Sequence, residues 1–487
     1  MESLRYICWM VCLVQIVTVD GRPDFGTAFQ FSVTPTISQL SAEISSVFAS
    51  IDDELHFMMS ASIPDGESKR QLMAAFAEDF SVKSRAITDQ LAASSTSSMG
   101  TTLSVVFAAY EELSSFLNFN ANNFLATTAQ TFGLYLTVEL FDGLVGLVLS
   151  MSELKTKIEF LQTSLASATV AEDVPLDRLR MVVRALRFMK AHIPLVVYTF
   201  QRVGVNLHMA ETFFVTFKQN QQGLAEEFMR EAVAFNAQLS AVEVSVGLAL
   251  SAVEVTFTNV GTQLENELTG YVQSQTGFMQ LQTSLVAFTG QRSMFVRELK
   301  ESILLTSSAY RESVETFVAQ TYYFDSSVTL DSPALDLVTL LIQSNVFDRM
   351  CYNKYAALVA DLLVLGQIRL AECFDNELPR LRKLQHMIET YGLMVSYDGN
   401  DLWNNLKPCR SEFASNSCMT EVSAFYPRLS AARDTNMETS VDNFFTSALT
   451  GSLNRIDLCF TKVNFLTFQR LVPSFRGGIT SCFNGLS

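Results

Sequence analysis

Proline, charge and histidine are the scarce ingredients of this 487-residue chain. Its 10 prolines leave residues 65–174 and 195–332 without one. Proline inside a helix costs about 3 kcal/mol, so such gaps admit long helices. Charged residues make up 17% of the chain, against roughly 25% in an ordinary soluble domain, while 48% are apolar and 38 are Phe. Intrinsic disorder needs few large apolar residues and much charge, and is excluded. Basic side chains are the rarer sign, 34 against 50 acidic for a net charge of −16. That balance excludes nucleic acid as the expected partner, because phosphate binding rests on Lys and Arg.

Chemical motifs are missing too. The four histidines are His56, His192, His208 and His386, and none sits in a His-Glu-x-x-His zinc motif. There is no Gly-x-Ser-x-Gly elbow, no Gly-x-x-x-x-Gly-Lys phosphate loop and no Cys-x-x-Cys. No Asn-x-Ser/Thr sequon occurs, so N-glycans are not expected. Asp52-Asp53 is an acidic pair, but adjacent helical residues point about 100° apart and read as a solvated face. A Ser-His-Asp triad would have to be assembled from distant positions. No cofactor, metal or catalytic residue is expected, and the chain reads as a non-enzyme.

What is present begins with a secretory signal over residues 1–21. Arg5 supplies its positive end, residues 6–19 are apolar apart from Gln15 and Thr18, and Val19 and Gly21 suit the peptidase pockets. The competing reading, a membrane anchor, needs about 20 apolar residues. The later apolar stretches, 143–151 and 355–365, are short or interrupted by Asp361, so no transmembrane segment is expected in the mature chain.

Apolar spacing predicts helices. Ile37, Leu40, Ile44, Val47, Ile51 and Met58 recur at three-four spacing, as do Leu72, Phe76, Phe80 and Leu154, Ile158, Leu161, Leu165. Thr34-Pro35 fits an N-cap followed by proline at the first helical position. Ser240-Ala241-Val242-Glu243-Val244 recurs eleven residues later as Ser251-Ala252-Val253-Glu254-Val255. Eleven residues are about three helical turns, which places both copies on one face of a long helix. Leu161-Gln162-Thr163-Ser164-Leu165 has a second copy at 281–285. Polar faces are built from Ser, Thr, Gln and Asn, so each helix depends on packing against neighbours. The expected fold is all-α: an elongated bundle of long amphipathic helices followed by a disulfide-laddered helical hairpin.

Charge divides the chain. Residues 351–487 hold 13 basic and 13 acidic side chains, while 22–350 hold 20 and 35. All six cysteines beyond the signal fall in the neutral part, and the turn-rich stretch 325–333 separates the two. The expected domains are an acidic multi-helix region at 22–330 and a cysteine-bearing helical domain at 335–487. Cys351 and Cys373 lie 22 residues apart, about 33 Å on one helix and beyond disulfide reach. Position sums of 833, 832 and 827 for Cys351–Cys482, Cys373–Cys459 and Cys409–Cys418 are nearly constant, as two antiparallel segments folded about one tip require. These nested bridges are predicted, with the tip at residues 411–417. Pro379, Gly399, Pro408 and Pro427 predict two helices in each arm, and Pro473 with Gly477-Gly478 predicts a break before Cys482.

Cys351-x-x-x-Tyr355, the apolar helix to Cys373, the Cys409/Cys418 pair and the late Cys459 and Cys482 resemble the cysteine-bearing domain of insect secreted proteins named after the tsetse EP protein. The resemblance covers residues 340–483, without the Glu-Pro repeats of the name-giving protein. It implies an insect protein of gut or another epithelial secretion, with no known enzymatic activity.

Two stretches bear on partners. Arg178, Arg180, Arg184, Arg187 and Lys190 accompany Leu179, Val182, Val183, Leu186 and Met189. They make either a basic amphipathic helix for an anionic membrane surface or, preferred, a core helix whose arginines pair with acid. Arg380, Arg382 and Lys383 form a smaller cluster balanced by Glu372, Asp375 and Glu377. The phenylalanines, Phe48, Phe76, Phe80 and Phe107 among them, suit either a bundle core or an apolar ligand cavity. The function expected is a secreted structural or interaction protein with an extracellular protein partner; the alternative is a carrier of lipid or another small apolar ligand.

Overall fold

Three-four apolar spacing is the organising pattern of the structure, a computed structural model that describes residues 24–27, 29–93, 99–268, 270–320, 332–410 and 415–486. The predicted signal at 1–21, residues 321–331 of the expected boundary and 411–414 of the expected tip lie outside the described residues. The described chain is all-α, with no strand among the described residues. Its helices are α1 (Thr34–Ala49), α2 (Gly66–Ala92), α3 (Met99–Phe116), α4 (Asn122–Thr131), α5 (Leu134–Ser167), α6 (Leu176–Glu267), α7 (Gly270–Gln273), α8 (Thr276–Ala319), α9 (Pro333–Gln343), α10 (Asp348–Leu406), α11 (Ser415–Asn464) and α12 (Val472–Phe483).

Ile37, Ile44, Phe76, Phe80, Leu154, Ile158, Leu161 and Leu165 are all buried, as their spacing requires. Met58 is the exception, 81% exposed and outside the helix, because α1 stops at Ala49 and the chain turns through Asp53–Leu55. α1 starts at Thr34 itself, with Val33 at the N-cap and no side-chain capping bond. The 240–255 echo lies inside α6, as a helix and not as strands. The second echo is buried alike in both copies: Leu161, Leu165, Leu281 and Leu285 point inward.

Three of the predicted breaks are corrected: Pro379 and Gly399 lie inside α10 and Pro427 inside α11, as Pro194 lies inside α6, whereas Pro408 does sit in a 3-10 turn, Lys407–Arg410, that ends α10. The neighbouring residues hold these helices together: buried Glu377 is anchored beside Pro379, and buried Tyr426 beside Pro427. Such packing offsets the bond that an interior proline removes. The break expected before Cys482 is a π-helical turn, Phe465–Leu471, and Gly477 and Gly478 continue α12. Gly478 has a reason to lack a side chain: a Cβ there would sit 2.8 Å from the Tyr355 hydroxyl.

The chain forms two compact units, and their borders differ from the boundary at 330/335 that charge and turn residues suggest. The first comprises Met1–Lys218, Asp331–Val359 and Phe475–Ser487; the second comprises Gln219–Leu330 and Ala360–Ser474. Charge reports which residues meet water, whereas the units are set by packing, and the two partitions need not coincide.

In the first unit, Phe76 is the centre of an aromatic cluster, with Phe124 stacked at 3.8 Å and Phe116, Phe200 and Phe80 around it. In the second, the later part of α6 packs with α8, α10 and α11 as a four-helix bundle. Phe228 and Phe235 of α6 meet Phe374 of α10, which meets Phe460 of α11, while Phe257 meets Phe288 of α8. Phenylalanine thus serves core packing in both units.

Candidate functional site

The cysteines pair as Cys351–Cys482, Cys373–Cys459 and Cys409–Cys418, with Cα–Cα distances of 5.8, 5.9 and 5.4 Å. These are the pairs that the near-constant sums predict. The outer bridge lies within the first unit and the two inner bridges within the second.

Buried polar groups form closed ion-pair networks that join helices. In the first unit the Arg202 guanidinium donates to the Ser344 carbonyl at 3.0 Å and to Asp348 at 3.2 Å, and reaches Glu139 at 3.3 Å. Asn206 also donates to Asp348, at 2.7 Å, so α5, α6 and the turn before α10 share one charge cluster. In the second unit Glu377 of α10 accepts two 2.7 Å bonds from Arg455 and one of 2.9 Å from Ser452, which is bonded to the Tyr310 hydroxyl. Burial alone would raise the Glu377 pKa, but the Arg455 and Ser452 bonds outweigh it and hold the carboxyl below its ordinary range. Burial pushes the Tyr310 hydroxyl up to about 12. Nothing in the sequence marks these networks, since the helices they join meet through pairs 63 to 146 residues apart.

The sequence-selected residues are scattered. His56 pairs with Asp52 at 3.2 Å, His192 meets the edge of Phe188, His208 meets Phe57, and His386 lies 3.9 Å from Glu389. Asp52 and Asp53 sit in the turn after α1 rather than on a helix. Among the described residues, no group of three or more His, Cys, Asp or Glu is placed to hold a metal ion. The basic stretch of α6 is a core helix, with Leu179, Val182, Val183, Leu186 and Met189 buried. Lys190 pairs with Glu43 at 2.6 Å, Arg180 with Asp177 at 3.6 Å, and Arg178 lies over Phe160. Arg184 and Arg187 are exposed and make no ion pair among the described residues. Of the second basic cluster, Arg380 binds Glu377 at 2.5 Å and Arg382 donates to Gln238 at 3.2 Å.

The surface carries the feature that sequence reading missed. α5 buries Leu136, Leu140, Leu144, Leu147 and Met151, yet its opposite face exposes Leu134, Val138, Phe141, Val145, Val148 and Leu149. α6 crosses it closely, since a Cβ on Gly143 would lie 2.9 Å from Val196 and one on Gly146 2.9 Å from His192. Phe188, Leu195 and Tyr198 of α6 are exposed along that crossing. Large exposed apolar patches are uncommon on water-soluble monomers. A partly open apolar space nearby, lined by Ile87, Val106, Met151 and Leu154, measures only about 10 Å³.

Two helices, Leu134–Ser167 and Leu176–Leu264, are long and apolar enough to cross a membrane by length and composition. The short stretch 143–151 is thus part of a longer apolar window than the sequence reading allowed. Burial covers 39% and 22% of their most apolar windows, and the core helices of water-soluble bundles pass the same test. No family model, curated protein or solved structure matches the chain.

Proposed function

We propose that this is a secreted, non-enzymatic structural or interaction protein that works by presenting apolar helix faces to an extracellular protein. The observation that carries the reading is the uncovered face of α5, six large apolar side chains along one helix whose other face is already in the core. Secretion is supported by three disulfides, which persist in oxidising compartments, together with the signal-like residues 1–21. The resemblance of residues 340–483 to the tsetse EP domain adds an insect epithelial secretion as its setting.

A second reading, an extracellular carrier of lipid or another small apolar ligand, is favoured by one detail. Arg184 and Arg187, exposed and without an ion pair among the described residues, lie four and one residues before exposed Phe188 on α6, a combination suited to an anionic lipid headgroup above its chains. The 10 Å³ space beside α5 holds about one water at most, and the cleft of about 300 Å³ in the second unit is lined by Glu298, Glu438 and Asp442 and suits no lipid chain, so such a ligand would cover outer faces.

The test is to isolate the tagged full chain from native secretion, beside a variant carrying Val138→Ser, Phe141→Ser and Leu149→Ser. A protein co-isolating with the wild type and lost from the variant supports the interaction reading. A stoichiometric lipid in the organic extract, with no protein partner, supports the carrier. A partner retained by the variant refutes the role given to α5.

A further inference from the structure

The eleven-residue echo in α6 acquires a meaning once burial is known. Ala241 and Val244 of the first copy, and Ala252 and Val255 of the second, fall on one exposed stripe. It runs Val233, Ala237, Ala241, Val244, Leu248, Ala252, Val255, in steps of four, four and three residues repeated twice. Val233, Val244, Leu248 and Val255 are 65%, 58%, 67% and 56% exposed. The opposite face holds Phe235, Leu239, Val246, Leu250, Val253 and Phe257 in the core of the second unit. A helix apolar on both sides belongs inside a larger assembly than one bundle.

The neighbouring helices flank the stripe and leave it open. α8 docks along one side through Lys300–Ser251 at 2.8 Å and Arg311–Glu243 at 3.4 Å. α10 docks along the other through Glu389–Ser245 at 2.7 Å and Arg382–Gln238 at 3.2 Å.

The order of side-chain sizes identifies the occupant. Pairing positions whose numbers sum to 488 or 489 sets Val233 opposite Val255, Ala237 opposite Ala252, Ala241 opposite Leu248 and Val244 opposite itself. The largest side chain then fills the gap left by an alanine, twice by symmetry. A parallel pairing would press Leu248 on Leu248 and leave Ala241 facing Ala241. The antiparallel pairing also places Glu243 across from Ser245 and Glu254 across from Ala234, whereas the parallel one sets each glutamate beside its own copy. Self-complementarity of this kind is the requirement of a two-fold homodimer.

We propose that a second copy of this chain docks antiparallel on this stripe, about a two-fold axis at Val244. The stripe is about 33 Å long and about 10 Å wide, or roughly 330 Å² per copy. That is below a standard interface of roughly 800 Å² per partner, so the dimer is weak and forms in the micromolar range. The inference rests on the reading of a protein that acts through helix faces, and names the occupant of one. It concerns the second unit alone, so its failure leaves the α5 reading standing, and the reverse.

Sedimentation of the full secreted chain from nanomolar to high micromolar concentration tests it. The wild type should dimerise, and Leu248→Glu should weaken the dimer at least about tenfold while far-UV circular dichroism stays unchanged. Val244→Cys should cross-link to its own copy on mild oxidation. Val255→Cys should not, but should cross-link when mixed with Val233→Cys. These cross-links remain readable if Leu248→Glu misfolds. A chain monomeric throughout, with no Val244→Cys dimer, overturns the proposal. So does self-linking of Val255→Cys, which means a parallel pair. So does a monomer that binds phosphatidylglycerol vesicles through this stripe, which hands it to lipid.

Discussion

Replacing Gly204 by alanine isolates a single steric contact. Gly204 lies in α6, and a Cβ there would stand 2.5 Å from the Glu54 carbonyl oxygen, 2.7 Å from its Cβ and 2.8 Å from its carbonyl carbon. The obstacle is mainly backbone, in the Asp53–Leu55 turn, and that turn cannot retreat freely. Leu55 is fully buried, and its carbonyl accepts a 2.6 Å bond from Arg70. In an open helix position, glycine to alanine gains about 1 kcal/mol. Overpacking against a held backbone costs about 1–3 kcal/mol. Gly204→Ala should therefore lose up to about 2 kcal/mol net. Gly223, also in α6, has nothing within 4 Å of its would-be Cβ, and Gly223→Ala should gain about 1 kcal/mol. Urea unfolding followed by circular dichroism measures both, and hydrogen exchange at residues 53–57 should rise only in Gly204→Ala. A Gly204→Ala variant as stable as Gly223→Ala would refute the reasoning.

Removing the Cys409–Cys418 bridge, which closes 9 residues, should cost about 2.5 kcal/mol, and removing Cys373–Cys459, which closes 86, about 4.5 kcal/mol. Non-reducing peptide mapping checks the pairing, and a Cys351–Cys373 peptide would sink it. Glu377 and Glu67 have folded-state pKa values below the ordinary 4.5, Glu67 at about 2 through bonds from Arg70 and the Met59 amide. Their stabilisation is complete above the unfolded value and is lost as pH falls through the folded one, so Glu377→Gln should flatten the stability–pH curve below about 4.5. Arg202→Met leaves Asp348 and Glu139 uncompensated and should cost about 3–5 kcal/mol by denaturant titration.

Helix periodicity was legible because Ile37, Ile44 and their successors encode burial directly in their spacing. Cysteine pairing was legible because a hairpin imposes one arithmetic relation on three pairs. Prolines misled, since sequence displays the bond that Pro379 removes but not Glu377 and Arg455, 78 residues apart, that hold the helix beside it. The exposed stripes were hidden for a different reason. Val244 and Val253 are identical letters in one helix, and only the positions of α8 and α10 decide that the first meets solvent and the second the core. The unit borders were hidden because contacts such as Arg202–Asp348 span 146 residues and leave no local trace.

The make-up of the first unit also sets a timetable. Its opening segment ends at Lys218, yet the piece carrying Cys482 begins at Phe475. At ribosomal rates of roughly 5–20 residues per second, the earlier piece waits about 13–50 s for its last partner. During that interval the helix faces destined for the final segment stay uncovered, and Cys351 is a free thiol among other free thiols. Pairing of Cys351 with Cys482 is thus a late event in biosynthesis, open only once the final segment has emerged.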